Sequence, residues 1–188
     1  RASCTTHPFL TDDRIDLSLL RFHRRPCEDV VMIVHGLTTS SDMFIMPEHT
    51  NVVSYLLDHG FTDVWTLDCR MSNRFPYNLA RHRYTLDDVA LFDFPAALRT
   101  IREAVGERAR VHVIAHCLGA LAFSMSLFGR ASTGVSSLVV NSVSLTPMVP
   151  DWSLFKGIVA PFLAEYVLNF AYLDPRWSET PGWTLGKL

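Results

Sequence analysis

The sequence predicts an α/β fold with a mostly parallel sheet that carries helices on both of its faces. Four apolar runs of strand length are separated by segments with helical patterns, and this alternation is typical of right-handed βαβ units. The runs are residues 30–34, 63–67, 111–115 and 137–145. A chain of 188 residues with 48% hydrophobic content can bury the core of one such domain.

The first third of the chain predicts one exposed strand and one buried strand. Residues 1–13 are polar and turn-like, whereas residues 15–22 alternate apolar and polar side chains, as in a strand with one solvated face. Residues 30–34 form a continuous apolar run, which is the pattern of a strand buried on both faces. Residues 38–50 predict a loop.

Two helices are expected on either side of the next strand. Asn51 caps a short helix that stops at Gly60, and residues 63–67 form the strand. Thr85 has a carboxylate three residues later, which is a capping box, and it opens a longer helix. Pro95 should kink or divide that helix because proline has no N–H to donate.

A polar loop at residues 68–78 follows the strand and is rich in side-chain donors. Asp68, Arg70 and Arg74 lie in it. They either steer an anionic substrate or form a solvated loop that is held by local ion pairs.

The strand at residues 111–115 ends in a small-x-Cys-x-Gly turn and continues directly into an apolar helix. Ala115 and Gly119 flank Cys117 at two residues' distance, as a sharp strand-to-helix turn requires. Such a turn lifts the Cys117 side chain above the sheet. It also leaves the Leu118 N–H at a helix N-terminus, where it can donate to an oxyanion. The alternative for Cys117 is a buried, inert thiol.

The pattern changes after Pro147, where prolines punctuate an aromatic-rich segment. We expect a core domain at residues 1–147 and a cap or lid at 148–188, with one or two short apolar helices in 151–173. Packing of this segment against another part of the protein is the alternative to an acyl-binding lid.

Composition excludes several classes of function. The net charge of −2 offers no basis for binding nucleic acid, and no apolar run is long enough to span a membrane. The four cysteines have no CxxC spacing, so we expect no metal site, no cofactor and reduced thiols in the cytoplasm.

Three motifs together resemble the α/β-hydrolase superfamily. Residues 35–37, His-Gly-Leu after a buried strand, are similar to the HG oxyanion motif of that family. Residues 64–96 are similar to the stretch between oxyanion strand and nucleophile turn in acid lipases. Residues 115–119 match the nucleophile elbow.

The resemblance implies an α/β-hydrolase fold with Cys117 at the nucleophile position. It implies that the backbone N–H groups of Leu118 and Leu37 form the oxyanion hole, with Gly36 allowing the close turn. His35 is expected to be a structural member of that turn, and not a base, because the order of the triad places the base later in the chain.

Cysteine replaces the usual serine, and in this respect the elbow resembles those of dienelactone hydrolases and polyhydroxyalkanoate synthases. A thiolate forms a thioester, which passes readily to water or to another acceptor. The expected function is therefore that of an esterase, thioesterase or acyltransferase on a small-molecule or lipid-like acyl substrate.

All eight histidines precede Cys117, although the family pattern places the acid and the base after the nucleophile. We expect both to lie beyond Leu188, in the remainder of a longer polypeptide, so that the last strands of the fold are absent here. Neither His116, adjacent to Cys117 on the elbow, nor His112, farther down the strand, is expected to replace the base. Asp151 is either the acid or a helix cap.

The alternative function is that of a non-catalytic accessory domain of a larger polypeptide. Hydrolase-like domains of this kind are found joined to flavin-dependent sterol oxidases of the glucose-methanol-choline class, which makes an oxidoreductase the expected neighbour under this reading.

Overall fold

The computed structural model describes residues 2–48, 50–74, 84–144 and 151–162. Contacts along the chain divide it into two units. The first comprises residues 1–74 and 84–145, and the second comprises residues 75–83 and 146–188. Of the second unit the structure describes one helix, whereas nearly all of the first unit is described.

The first unit contains a six-stranded sheet with the strand order β1-β2-β4-β3-β5-β6. Its strands are β1 (Ser3–Leu10), β2 (Asp16–His23), β3 (Asp29–Val34), β4 (Asp63–Asp68), β5 (Arg110–His116) and β6 (Val135–Asn141). β1 and β2 pair antiparallel with their neighbours, while β4, β3, β5 and β6 are mutually parallel. The predicted, mostly parallel sheet is therefore confirmed.

Helical segments lie between these strands and after the last of them, and one of these segments, a 3-10 turn, falls in the predicted loop at residues 38–50. They are a 3-10 turn (Ser41–Phe44), α1 (Val52–Asp58), α2 (Leu86–Asp88), a π-helical stretch (Val89–Asp93), α3 (Phe94–Val105), α4 (Cys117–Phe128) and α5 (Asp151–Phe162). Asn51 and Thr85 cap α1 and α2 as expected. The predicted split at Pro95 is not found, since the chain stays helical from Leu86 to Val105; instead a π-helical stretch ends at Asp93, just before Pro95, which has no N–H to donate. Within the described ranges, no helix has the length and apolarity to cross a membrane.

The core lies on both faces of the sheet because successive strand residues point to opposite sides. Val30, Met32 and Val34 of β3 belong to a buried cluster with α3 and α4. Val31 and Ile33 belong to a second cluster on the other face, with α1. This two-sided burial explains why β3 is apolar at five consecutive positions.

The N-terminal segment differs from expectation, since residues 3–10 form a strand and not a turn. β1 pairs with β2 along its whole length, from Ser3 opposite His23 to Leu10 opposite Asp16. Pro8 fits this strand because β1 is paired on one side only among the described strands. The pairing with β2 stabilises β1. The polar pattern of residues 3–10 alone does not indicate a strand.

The last described strand also differs from expectation. It covers Val135–Asn141, whereas the apolar pattern predicted a buried strand at residues 137–145, whose last residue lies outside the described ranges. Val139 and Val140 are 57% and 41% exposed. Their exposure follows from the position of β6 in the sheet order, where β5 is its sole described neighbour.

The loop after β4 is buried in its first half, so the expected solvated loop is wrong for Asp68 and Arg70. Arg70 donates from Nε to Asp93 at 2.8 Å and from its two terminal nitrogens to Asp13 at 2.8 and 3.0 Å. Asp93 also accepts the Arg70 backbone N–H at 2.9 Å. Arg70 therefore joins three segments of the chain and is not available to steer a substrate.

Removal of this buried guanidinium should be costly. We expect Arg70→Ala to lower the free energy of unfolding by about 3–5 kcal/mol, because Asp93 would remain buried without its partner. Arg99→Ala is the matched control, since its ion pair with Asp12, at 2.7 Å, is mostly exposed and should contribute at most about 1 kcal/mol. Urea unfolding of both variants measures the difference, and equal losses would contradict this account.

Candidate active site

The strand-to-helix turn at Cys117 is as sharp as the sequence predicted. β5 ends at His116 and α4 begins at Cys117, with no residue between them. Cys117 has a φ of 53° and its side chain is exposed. A non-glycine residue in this left-handed region carries a cost of roughly 1–2 kcal/mol. The turn therefore presents the thiol at the carboxyl end of a central parallel strand.

Two glycines let the end of β3 lie against this turn. A Cβ atom on Gly119 would be 2.0 Å from the His35 carbonyl oxygen, so no larger residue fits there. A Cβ atom on Gly36 would be 2.9 Å from the Cβ of Cys117. The register of the parallel pair, with Val34 opposite Ala115, brings both strand ends to the same level.

Hydrogen bonds orient the peptide group between Gly36 and Leu37. The Gly36 carbonyl accepts from His35 Nδ1 at 2.7 Å and from the Thr39 hydroxyl at 3.2 Å. The Leu37 N–H belongs to the same planar trans peptide and points the opposite way. Its direction is therefore held by the side chains that bind the carbonyl, as an oxyanion donor requires.

His35 itself is fully buried. Its Nε2 lies 3.5 Å from the Cys69 sulfur, which can donate its S–H. Burial lowers the pKa of His35, while the hydrogen bond to Gly36 and the Asp68 carboxylate act in the opposite direction. Burial also raises the pKa of the Cys69 thiol. Both shifts favour the neutral form of the group, and the structural role of His35 stays a prediction.

Asp68 binds the loop that follows the HG turn, which is the name used here for residues 35–37. Its Oδ1 accepts the Ser41 backbone N–H at 2.8 Å and the Ser72 hydroxyl at 2.9 Å. Sequence reasoning missed the support from Asp68 and Cys69. The available signal was their position at the carboxyl end of β4, which neighbours β3 in the sheet.

Sequence reasoning also missed a hydrogen-bonded group of side chains next to Cys117. His116 Nδ1 is 2.8 Å from Asn141 Oδ1, and the Ser142 hydroxyl donates to the same oxygen at 3.0 Å. His116 and Asn141 are opposite each other in the β5–β6 register, near the carboxyl ends of both strands. Without knowledge of that register, the sequence does not connect them.

His112 lies near the opposite end of β5, as expected. Its Nε2 is 2.9 Å from Asp29, and its Nδ1 is 2.7 Å from the Ser137 hydroxyl. Hydrogen bonds from Arg110 and His112 lower the pKa of Asp29. These side chains connect β3, β5 and β6 and do not lie beside Cys117.

Asp151 is the first residue of α5, in the second unit, so its role as the acid stays a prediction. The larger part of the predicted cap, residues 163–188, lies outside the described residues. Within the described part of the chain, no group of three or more His, Cys, Asp or Glu side chains is arranged to hold a metal ion.

Comparison with known proteins gives a family and a fold. Residues 30–187 match the model of a family described as the alpha/beta hydrolase family. No curated protein sequence matches the chain significantly.

Several solved structures have the same fold. An esterase from Pyrococcus furiosus superposes with a TM-score of 0.63 at 22% identity, over 92% of this chain and 63% of its own. A second crystal form of it gives 0.61, so the chain spans about 62% of that esterase's length. Prolyl oligopeptidase B from Galerina marginata superposes with a TM-score of 0.54 at 17% identity, over 71% of this chain and 19% of its own. At such identities the likeness shows the fold alone.

The contact between Gly119 and the His35 carbonyl can be tested by adding one methyl group. Gly119→Ala should destabilise the protein by about 1–3 kcal/mol or more, because backbone atoms must move to accept it. Gly157→Ala in α5 is the control, since a Cβ there meets no atom of the described residues within 4 Å and the substitution should be neutral or stabilising by up to ~1 kcal/mol. Thermal unfolding compares the two, and a fully stable Gly119→Ala protein would disprove the contact.

The buried His35 should make stability depend on pH. The folded-state pKa of His35 is lowered. As the pH falls through about 6.5, His35 therefore becomes protonated in the unfolded chain but not in the native state. Stability is retained above that pH and is lost below it, by at most about 1.4 kcal/mol per pH unit.

Urea unfolding at pH 7.5, 6.5 and 5.5 measures this loss. We expect His35→Gln to have the shallower pH dependence. His59→Gln, at an exposed histidine bound to its own helix, should keep the wild-type dependence. Identical pH dependence in the wild type and His35→Gln would show that His35 does not cause it.

Proposed function

Since this chain belongs to the alpha/beta hydrolase family, we propose that it performs acyl chemistry through a thioester on Cys117. The supporting observation is the exposed thiol at a strained strand-to-helix turn, with a φ of 53°. The HG turn packs against it through Gly36. A nucleophile beside oriented backbone donors is the arrangement that acyl transfer needs.

The proposed reaction has two steps. The Cys117 thiolate attacks the carbonyl carbon of an ester or thioester, a C–S bond forms, and the carbonyl electrons move to oxygen. The N–H groups of Leu118 and Leu37 stabilise that oxyanion. Its collapse breaks the bond to the leaving alcohol or thiol, which takes up a proton, and leaves an acyl-enzyme.

The candidate activities differ in the molecule that attacks the acyl-enzyme in the second step. Attack by water on the thioester releases a carboxylic acid and makes the protein an esterase or thioesterase. Attack by another alcohol, thiol or amine makes it an acyltransferase. The similar structures named as esterases favour an ester substrate, and the half-exposed Leu37 side chain beside the turn favours an apolar acyl group, from a small molecule or a lipid. Cytoplasmic location stays a prediction.

Intact-mass spectrometry of the full-length protein tests the thioester. Incubation with a p-nitrophenyl ester should add one acyl group, located on Cys117 by peptide mapping and removed by hydroxylamine. Cys117→Ala should acquire none at this position. Parallel incubation with an acyl-CoA shows which class of donor is consumed.

The other exposed cysteine supplies an internal control. Cys4 lies in β1 and is also exposed, so it reports the reactivity of an ordinary thiol in the same molecule. We expect iodoacetamide at pH 7 to modify Cys117 at least ~10-fold faster than Cys4. Equal, slow rates together with no acylation would reject the enzyme and favour the accessory-domain alternative.

A further inference from the structure

The two proposed oxyanion donors differ in what fixes their direction. The Leu118 N–H lies in the first turn of α4, and the helical backbone sets its direction. The Leu37 N–H follows Gly36, outside the helices and strands. Since glycine permits a wide range of backbone angles, rotation of the peptide after Gly36 would exchange the N–H for the carbonyl oxygen. That oxygen would repel an oxyanion, so the peptide needs partners that hold it.

Two side chains donate to the Gly36 carbonyl oxygen, which has two lone pairs. His35 Nδ1 lies 2.7 Å from this oxygen, and the His35 proton is on Nδ1 because a carbonyl accepts and does not donate. Thr39 Oγ1 is 3.5 Å from the same nitrogen, which is no acceptor for its proton. The Thr39 hydroxyl donates to the Gly36 carbonyl instead, at 3.2 Å. Both lone pairs are therefore occupied.

The loop after β4 holds Thr39 in the position from which it donates. The Asn73 backbone N–H donates to the Thr39 carbonyl at 3.1 Å, and the Asn73 side-chain amide donates to the Thr38 carbonyl at 3.3 Å. Thr38 has a φ of 56°, which is unfavourable for a β-branched residue. Asn73 therefore stabilises two consecutive peptides directly after the HG turn, one of them next to a strained residue.

We propose that Thr39 is a positioning residue that holds the Leu37 N–H toward the oxyanion, and that Asn73 anchors Thr39. This inference rests on the proposed thioester. As the Cys117 sulfur bonds to the acyl carbon, the carbonyl electrons move to oxygen, and the Leu37 N–H donates to that oxygen. Hydrogen bonds at the Gly36 carbonyl hold the peptide in this direction. They also polarise it and make its N–H a stronger donor.

Thr39 can be changed with little effect on the core. His35 is fully buried, so its replacement would disturb the packing around it and leave the Cys69 thiol without its acceptor. Thr39 is only half-buried. Thr39→Val removes the hydroxyl and keeps the branched shape, whereas Thr39→Ser keeps the hydroxyl and loses one methyl group. This pair of variants separates the hydrogen bond from the packing.

Single-turnover acylation of the full-length protein by a p-nitrophenyl ester tests the role of Thr39. We expect Thr39→Val to lower the acylation rate at saturating ester by about 10-fold, less than the loss of roughly 10²–10³-fold for a whole oxyanion donor, because His35 still binds the carbonyl. The half-saturating ester concentration should change by less than about 2-fold, since the bound ester carries no oxyanion. Thr39→Ser should acylate within about 2-fold of the wild-type rate.

Thr100→Val is the matched control. The Thr100 hydroxyl also donates to a backbone carbonyl, that of Ala96 at 3.0 Å, but it does so within α3. This variant should acylate at the wild-type rate. Asn73→Ala should slow acylation by a smaller factor than Thr39→Val, because its backbone N–H remains. The double variant should be about as slow as Thr39→Val, since both residues act on one peptide.

Alkylation of Cys117 separates oxyanion stabilisation from any damage to the thiol. Iodoacetamide reacts when the sulfur displaces iodide from a methylene carbon, and no oxyanion forms in that step. Thr39→Val should therefore be alkylated at Cys117 at the wild-type rate while its acylation is slow. If Thr39 only supported the fold around Cys117, both rates would decrease together. Circular dichroism and urea unfolding show whether each variant is folded.

The outcomes distinguish this inference from the proposed function. If the wild type forms no thioester on Cys117, the proposed function fails and the inference fails with it. If the wild type is acylated and folded Thr39→Val is acylated equally fast, the inference alone is overturned. Equal slowing of acylation and alkylation, or no recovery of the rate in Thr39→Ser, would overturn it as well.

Discussion

The close approach of the His35 carbonyl to Gly119 is the contact on which the rest of the site depends. It brings the end of β3 against the first turn of α4, at the point where β5 ends. A side chain at position 119 would push the HG turn away from Cys117. The packing of the end of β3 against the first turn of α4 maintains the strained backbone at Cys117.

Polar groups beneath the sheet's carboxyl edge stabilise that arrangement. Asp68 binds the loop behind the HG turn, and the buried pair of Arg70 and Asp93 joins the next loop to the helix before β5. Moving a charge out of water costs free energy, so a buried charge is stable only where an ion pair and hydrogen bonds compensate for that cost. These contacts fix the conformation of the loops at this edge of the sheet, which suits donors that must be oriented before the reaction.

The residues around the nucleophile turn come from adjacent strands of the sheet. Cys117 and His116 are consecutive, and Asn141 is the register partner of His116 on β6. The exposed apolar residues Val139 and Val140 of β6 directly precede Asn141 in the chain.

Local patterns determined what the sequence could predict. The apolar run of β3, the capping box at Thr85 and the small residues around Cys117 each depend on neighbours in the chain, and all three have the predicted local structure. Tertiary structure decided the strand at Ser3–Leu10, the exposure of β6, the burial of Arg70 and the pairing of His116 with Asn141. Each of these depends on a partner or a neighbouring strand that is distant in the sequence, and a single sequence does not specify register or pairing.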